Sequence, residues 1–247
     1  MLNILMPMAV KSAFFEGKDY PFPAPLIEVD GKSIVELALQ NYKAIKGPKR
    51  FIFVVTKADC VKYHIDSVLE LLTEGECDIV KLSGETKGAA CSCLMAVKFI
   101  NNDEPLIIAN GDQIIDERLG DIVKQLDKNY DAGVLSFETV HPRWSYVRLD
   151  EKGLITEAAE KRPLSNNAIA GFYYFKKGRD FVRAAMSSIK KDSNVNGIYY
   201  IAPTLNELVL EGKRLGVYKI DKTKYHTLYS PQKIQEYEKT VARRVAQ

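Results

Sequence analysis

Cysteine is scarce and unpatterned in this chain. The four present, Cys60, Cys77, Cys91 and Cys93, form no CxxC pair, which argues against a zinc ribbon or a disulfide framework and for reduced thiols. Charge of a single sign is also missing. Lys and Arg number 35 against 32 Asp and Glu, a formal +3, too balanced to make nucleic acid or an anionic membrane the main partner. Nowhere do about 18 apolar residues follow one another, and Met1-Leu2-Asn3-Ile4-Leu5-Met6-Pro7 has neither a cationic start nor a long apolar run, so a soluble cytoplasmic protein is expected. The three histidines, His64 in a helical stretch, His141 before Pro142 and an isolated His226, suggest no catalytic triad and no histidine-rich metal site. Internal repeats and disordered linkers are lacking too, so residues 1–247 read as one domain.

What is present is an ordinary globular composition, 46% hydrophobic and 27% charged, enough to bury a core. Short apolar runs alternate with amphipathic stretches. Strands are expected over residues 2–8, 51–55, 78–82 and 106–109, with helices over 33–45, 59–72 and 87–100 between them. Such a β-α-β alternation indicates a parallel, doubly wound sheet. The second half changes character. A strand at 132–137 precedes an antiparallel hairpin, 144–149 and 154–159, and a strand at 168–175. Helices over 179–190 and 202–210, a strand at 216–220 and a charged helix over 231–245 complete the chain.

Two stretches stand out. Leu106-Ile107-Ile108-Ala109-Asn110-Gly111-Asp112-Gln113 reads as a buried parallel strand that delivers a carboxylate, Asp112, at its C-terminal end. In open α/β sheets ligands bind beyond that end, so Asp112 stands where a metal–phosphate site is expected; its ordinary alternative is a carboxylate capping a turn. The other stretch, residues 9–25, is a long loop without helical or alternating pattern, and loops of that length in compact domains tend to be functional.

Several motifs, in order, resemble the sugar-phosphate nucleotidyltransferases, whose opening runs LAAG-x-G-x-R, then PKPL, then GKPMIE. Here the corresponding segments are Met6-Pro7-Met8-Ala9, Pro23-Ala24-Pro25-Leu26 and Gly31-Lys32-Ser33-Ile34-Val35-Glu36. Thr86-Lys87-Gly88-Ala89-Ala90, Asn110-Gly111-Asp112, Glu160-Lys161-Arg162-Pro163 and Ala170-Gly171-Phe172-Tyr173 follow at that family's spacing. The resemblance implies a GT-A-like, Rossmann-like α/β fold with a mainly parallel sheet and an antiparallel hairpin extension. It implies a phosphorylated sugar or similar small acceptor attacking the α-phosphate of a nucleoside triphosphate, with Mg²⁺ or Mn²⁺, and pyrophosphate leaving.

The same resemblance assigns roles. Asp112 would hold the metal. Met8, Ala9, Val10 and Ser12 in the first loop, with Ser83, Thr86, Gly88 and Asn110, would bind the nucleotide; Gly88 would let the chain approach the base. Either Lys161 or Arg162 would neutralise the acceptor phosphate, since two anionic reactants repel, and Tyr146, Glu160 and Gly171 would line the acceptor pocket. Read from the residues alone, Trp144, Tyr146 and Tyr173-Tyr174 are by default core and hairpin pairing, with stacking on a base or sugar as the alternative, and Tyr199-Tyr200-Ile201-Ala202-Pro203 starts a helix and could close the pocket. Taken by itself a charged pair at a hairpin end is also simply solvated, and Gly171 simply permits close packing.

The first loop departs from the family. Val10 and Ser12 stand in place of glycines, Phe14 in place of the triphosphate-binding arginine, and Ala24 in place of lysine. Near the C-terminus Thr227 stands where many members carry a second metal-binding aspartate. Lys11, with Lys18, is left to supply cationic charge. Three readings stay open: a nucleotidyltransferase serving surface-polysaccharide (capsule) assembly, a glycosyltransferase using a nucleotide diphosphate sugar on the same fold, and an inactive nucleotide-sugar-binding relative. Self-association into a homo-oligomer is also open.

β-branched Val10 resists the positive-φ conformations glycine allows, so triphosphate binding should be weak, with Lys11 carrying most of the cationic contact. A variant combining Val10→Gly, Ser12→Gly, Phe14→Arg and Ala24→Lys should tighten triphosphate binding by about 1.5–3 kcal/mol in calorimetry, the range for charged hydrogen bonds. Lys11→Ala should weaken it. Tight wild-type binding with no gain on restoration would mean that the loop has its own phosphate chemistry.

Overall fold

Leu-Ile-Ile-Ala at 106–109 is buried along its whole length, as a strand covered on both faces must be, and the sheet is built outward from it. The computed structural model describes residues 1–9, 13–15 and 20–245. In chain order, β1 (Leu2–Pro7) leads through the long loop and the small ribbon β2 (Glu28–Val29) and β3 (Lys32–Ser33) to α1 (Ile34–Lys43). Then follow β4 (Lys49–Thr56), α2 (Lys57–Tyr63), α3 (Ile65–Leu72), β5 (Cys77–Leu82), α4 (Ala89–Leu94), α5 (Val97–Ile100) and the central strand β6 (Leu106–Ala109). The second half runs β7 (Gln113–Ile115), α6 (Leu119–Asn129), β8 (Ala132–Glu138), β9 (Ser145–Leu149), β10 (Ile155–Glu160) and β11 (Asn167–Phe175). It ends with α7 (Gly178–Lys190), α8 (Leu205–Leu210), β12 (Leu215–Lys219), β13 (Tyr225–Thr227) and α9 (Pro231–Val245).

One nine-stranded sheet has the order β10-β9-β11-β6-β1-β4-β5, with β8 pairing both β11 and β12. Pairs among β6, β1, β4 and β5 are parallel, whereas β11 runs antiparallel to β6 and β8. This is the expected α/β architecture with its hairpin extension. Period-two alternation sorts the strand residues onto two buried faces. Ile4, Met6, Phe53 and Ile107 pack with Tyr42 of α1 on one face. Leu5, Val54 and Ile108 pack with Phe181 of α7 on the other.

Local chemistry sets the helix starts. The Ser33 hydroxyl accepts from Glu36 N at 3.3 Å and the Thr56 hydroxyl from Asp59 N at 3.0 Å, both satisfying amides that the first turn leaves unpaired.

Two expectations are corrected. The helix over 59–72 is two helices, because His64 takes φ 52° and ψ 36° between them, a left-handed conformation that histidine tolerates better than most residues. The helix over 87–100 likewise divides at Met95–Ala96 into α4 and α5. Helix α6 and the ribbon pairing β7 with β13 are additions to the sequence reading, although Leu119, Ile122 and Leu126, all buried, have helical spacing.

Because β6 is sealed on both faces, Ile107→Ala should lower stability by about 2–5 kcal/mol through lost burial and the cavity left behind. The expected signature is a lower urea midpoint with an unchanged slope.

Candidate functional site

The carboxyl ends of β1 and β6 open on one side of the sheet, and the turn after β6 is shaped by its neighbours. Met8 N donates to Val54 O at 2.8 Å, tying the exit of β1 to β4. The Met8 side chain then lies over Gly111, where an added Cβ would come 2.5 Å from its sulfur. A larger residue at this position would have to push the Met8 side chain aside. Asp112 is half-buried and its backbone carbonyl accepts from Leu228 N at 2.7 Å. That bond continues the β7–β13 ribbon, in which Thr227 pairs with Gln113, and so brings the end of the chain beside the carboxylate.

Strand β11 reaches the same place through an irregularity. Between Ile169 and Tyr173 its register against β8 shifts, and Gly171 there takes φ +57°. The Gly171 carbonyl accepts from Gln113 Nε2 at 2.9 Å and from Asn110 N at 3.3 Å. A Cβ at Gly171 would fall against the Gln113 amide and 2.6 Å from Asn110 Nδ2, so this glycine is required by close approach as well as by its backbone angle. Buried Tyr225 donates to Gln113 Oε1 at 3.1 Å. Asp112, Asn110, Gly171, Gln113 and Tyr225 thus form one cluster.

Its electrostatics follow from burial. The Asp112 carboxyl is pushed up to about 6, chiefly by desolvation, with its own backbone amide opposing the shift. Although part of the residue remains on solvent, the carboxylate is packed among protein atoms. The Tyr225 phenol is driven far up, first by burial and then by the Asp112 charge. As a metal site the cluster offers one carboxylate, with the Thr227 hydroxyl on the neighbouring strand. Among the described residues no group of three His, Cys, Asp or Glu side chains is placed to hold an ion. That donor set suits Mg²⁺, which is commonly held by one or two carboxylates plus substrate phosphates and retained waters.

The remaining expected residues are dispersed around this centre. Glu160, the last residue of β10, accepts from the Ser145 hydroxyl, and burial raises its carboxyl while Ser145 and Lys161 oppose the shift. Lys161 takes φ 54°, donates its amide to Trp144 O at 3.0 Å, and sets its ammonium 2.9 Å from the Tyr200 hydroxyl. Arg162 points elsewhere, to Glu157 at 2.7 Å, which Arg148 also engages. Of the two cations, Lys161 is the one held by an uncharged partner.

Thr86 bonds Gly88 O at 3.1 Å and the Ser92 hydroxyl at 2.6 Å. Gly88, at φ +120°, lies so close to Tyr199 that a Cβ would stand 2.8 Å from the Tyr199 nitrogen. Ser83 and Asn110 are exposed, and Met8 and Ala9 are half-buried at the exit of β1. Lys11, Lys18, Val10 and Ser12 lie outside the described residues.

Two expectations give way. Tyr146 is 0% exposed and donates its hydroxyl to His141 O at 2.6 Å, so it is a core residue and presents nothing to an acceptor. His226 is not isolated: its Nε2 lies 3.0 Å from Asp116 Oδ2. The sequence reading also passed over Gln113, Tyr225 and Arg143. The first adjoins Asp112 in sequence and was legible; the other two depend on contacts distant along the chain.

The comparisons with known proteins concern the family and the fold. The family described as Nucleotidyl transferase matches residues 20–216. The chain is 27% identical to the UTP–glucose-1-phosphate uridylyltransferase AglF of Haloferax volcanii over 205 residues, 81% of this chain and 80% of that protein. Among solved structures, a nucleoside-diphosphate-sugar pyrophosphorylase from Vibrio cholerae RC9 superposes with a TM-score of 0.84 at 20% identity, covering 96% of this chain and 99% of the other. An inositol-1-phosphate CTP transferase from T. maritima gives 0.73 at 14% identity, covering 94% and 90%.

The raised Asp112 carboxyl has a stability consequence. Its folded-state value, about 6, lies above the ordinary 3.8, so the folded protein holds this proton more tightly and the charged form costs stability as pH rises through that interval. Asp112→Asn in metal-free protein should therefore match wild type at pH 4 and exceed it by on the order of 1–2 kcal/mol above pH 6, allowing for the carboxylate's solvent-facing side. Urea midpoints at the two pH values test this. A gain of equal size at both would assign it to something other than the charge.

Proposed function

The chain belongs to the Nucleotidyl transferase family, and from that membership we propose that it transfers a nucleoside monophosphate from a nucleoside triphosphate to a phosphorylated sugar, releasing pyrophosphate. The observation that carries the reading is the Asp112 carboxylate at the end of β6, enclosed by Gly171, Gln113 and the returning strand β13. Similarity to a glucose-1-phosphate uridylyltransferase supports a sugar 1-phosphate as the acceptor. The nine-stranded sheet joining the two halves supports residues 1–247 acting as one domain.

In this reading an acceptor phosphate oxygen attacks the α-phosphorus, a new P–O bond forms, and the bond from the α-phosphorus to the β-phosphate bridging oxygen breaks with pyrophosphate departing. The chain's task is positioning and charge neutralisation. The family is generally Mg²⁺-dependent. Asp112 would hold the ion, which when bound neutralises phosphate charge. Lys161 approaches the acceptor phosphate, its ammonium kept by Tyr200 at the mouth of the pocket; Arg162, already neutralised by Glu157, is the weaker candidate. Gly88 and Thr86 accept the base, and the first loop, with Met8 and Ala9 at its root, follows the triphosphate. The product is the kind of activated sugar that surface-polysaccharide assembly consumes, and we propose that use for it, in the cytoplasm.

Screening four nucleoside triphosphates against a panel of sugar 1-phosphates for pyrophosphate release tests the whole reading. Asp112→Asn should lower turnover by about a hundredfold or more, the cost of losing a preorganised charge contact, with the fold intact. Lys161→Ala should raise the acceptor KM or lower kcat with little change in nucleotide affinity, whereas Arg162→Ala should do neither. No pyrophosphate from any pair, with measurable binding of a nucleotide diphosphate sugar, would favour a glycosyltransferase or a binding protein.

A further inference from the structure

Arg143 is exposed, yet it is held in one place by aromatic rings. Its guanidinium lies 4.3 Å from the centroid of Trp144 and 5.3 Å from that of Tyr229, and its Nη1 donates to the Tyr229 hydroxyl. Tyr229 is steadied in turn by Phe14, whose ring meets it edge-on at 5.4 Å. Among the described residues no carboxylate lies within ion-pair distance of Arg143; the nearby Glu236 is bonded to Lys233 and Gln232. A guanidinium carries five donors, and among the described residues only one of these is used by a side chain. An arginine stacked on rings keeps its charge and its planar fork available to an anion.

Arg143 borders the candidate site, lining one cavity with Tyr225 and Thr227. Tyr229 follows Leu228, whose amide bonds the Asp112 carbonyl. Trp144, on the other side, accepts from the amide of Lys161 at 3.0 Å. Arg143 therefore bridges the segment that returns to Asp112 and the segment that carries Lys161, with the Phe14 ring packed on Tyr229 beside it.

We propose that Arg143 is a phosphate-binding residue of this site, its stacked fork presented to a phosphate oxyanion of the substrates by Trp144 and Tyr229. The inference rests on the nucleotidyltransferase reading for its ligand class. Two phosphates share that chemistry, the tail of the triphosphate and the monoester of the acceptor, and bidentate recognition suits either.

The test uses the whole protein and two probes, inorganic pyrophosphate and glucose 1-phosphate, each titrated by calorimetry with Mg²⁺ present. Arg143→Gln should weaken one of them by about 10- to 100-fold, as expected for a charged hydrogen-bonded contact, and flatten its salt dependence; the probe affected identifies the phosphate. Arg143→Lys should recover part of the affinity, and Tyr229→Phe, which keeps the ring, should lose less than Arg143→Gln. The thermal midpoint should stay unchanged in all three. Wild-type affinity for both probes in Arg143→Gln, or losses that merely track a lowered midpoint, would overturn the proposal. A wild type that turns over normally beside an unaffected Arg143→Gln would overturn it alone. A wild type that binds neither probe and releases no pyrophosphate would remove the nucleotidyltransferase reading and this inference with it.

Discussion

The pairing of β11 with β6 is the contact on which the rest of the molecule depends. Strand β6 ends the parallel run β5-β4-β1-β6, and β11 lies antiparallel beside it while also pairing β8 and β9. One strand thus joins a doubly wound half to a hairpin-bearing half. Its register against β8 slips around Gly171, where the Gly171 carbonyl accepts from Asn110 and Gln113. An irregularity in the strand that connects two architectures therefore lies in one wall of the site, in keeping with the tendency of bulges to lie beside functional groups.

At that wall a carboxylate lies in a desolvated turn and a buried phenol donates to a buried amide, while farther out an exposed lysine rests on a tyrosine rather than on a carboxylate. Elsewhere in the fold ionic groups are matched. Arg183 is shared by Glu211 and Asp180, and Glu207 is met by Lys191 and Ser187. The contrast separates scaffold from site: where charge is internally balanced the surface has little to offer a ligand, and where it is not, a charged substrate completes the balance.

Much of this was legible in the sequence because it lies in short windows. A four-residue apolar strand ending in Asn-Gly-Asp announces Asp112, and the turn before Pro163 announces Glu160 and Lys161. Alternation gives the face of a strand residue but not its depth: of the two readings open for Tyr146, core packing and stacking on a ligand, burial in the core is the one observed. Helix continuity was overestimated at His64, whose left-handed angles no hydrophobic period encodes. Helix α6 had a readable period and was missed. Arg143 was beyond local reading, since Tyr229, which orients it, lies 86 residues onward; His226 and Asp116 are 110 apart.

The ribbon of β7 with β13 has a bearing on when, during synthesis, the molecule becomes competent. Gln113 and Tyr225 are 112 residues apart, and Asp112 is tied to Leu228. At roughly 5–20 residues per second, several seconds separate the ribosome's output of the two partners. The parallel strands β1, β4, β5 and β6 emerge first and can pair while that interval runs, but the carboxylate turn is left without its closing strand until residue 228 has left the exit tunnel. Nascent chains therefore carry the parallel strands before they carry the closed turn, and a ribosome that stops short of residue 228 releases a protein with its central strands formed and its Asp112 turn open.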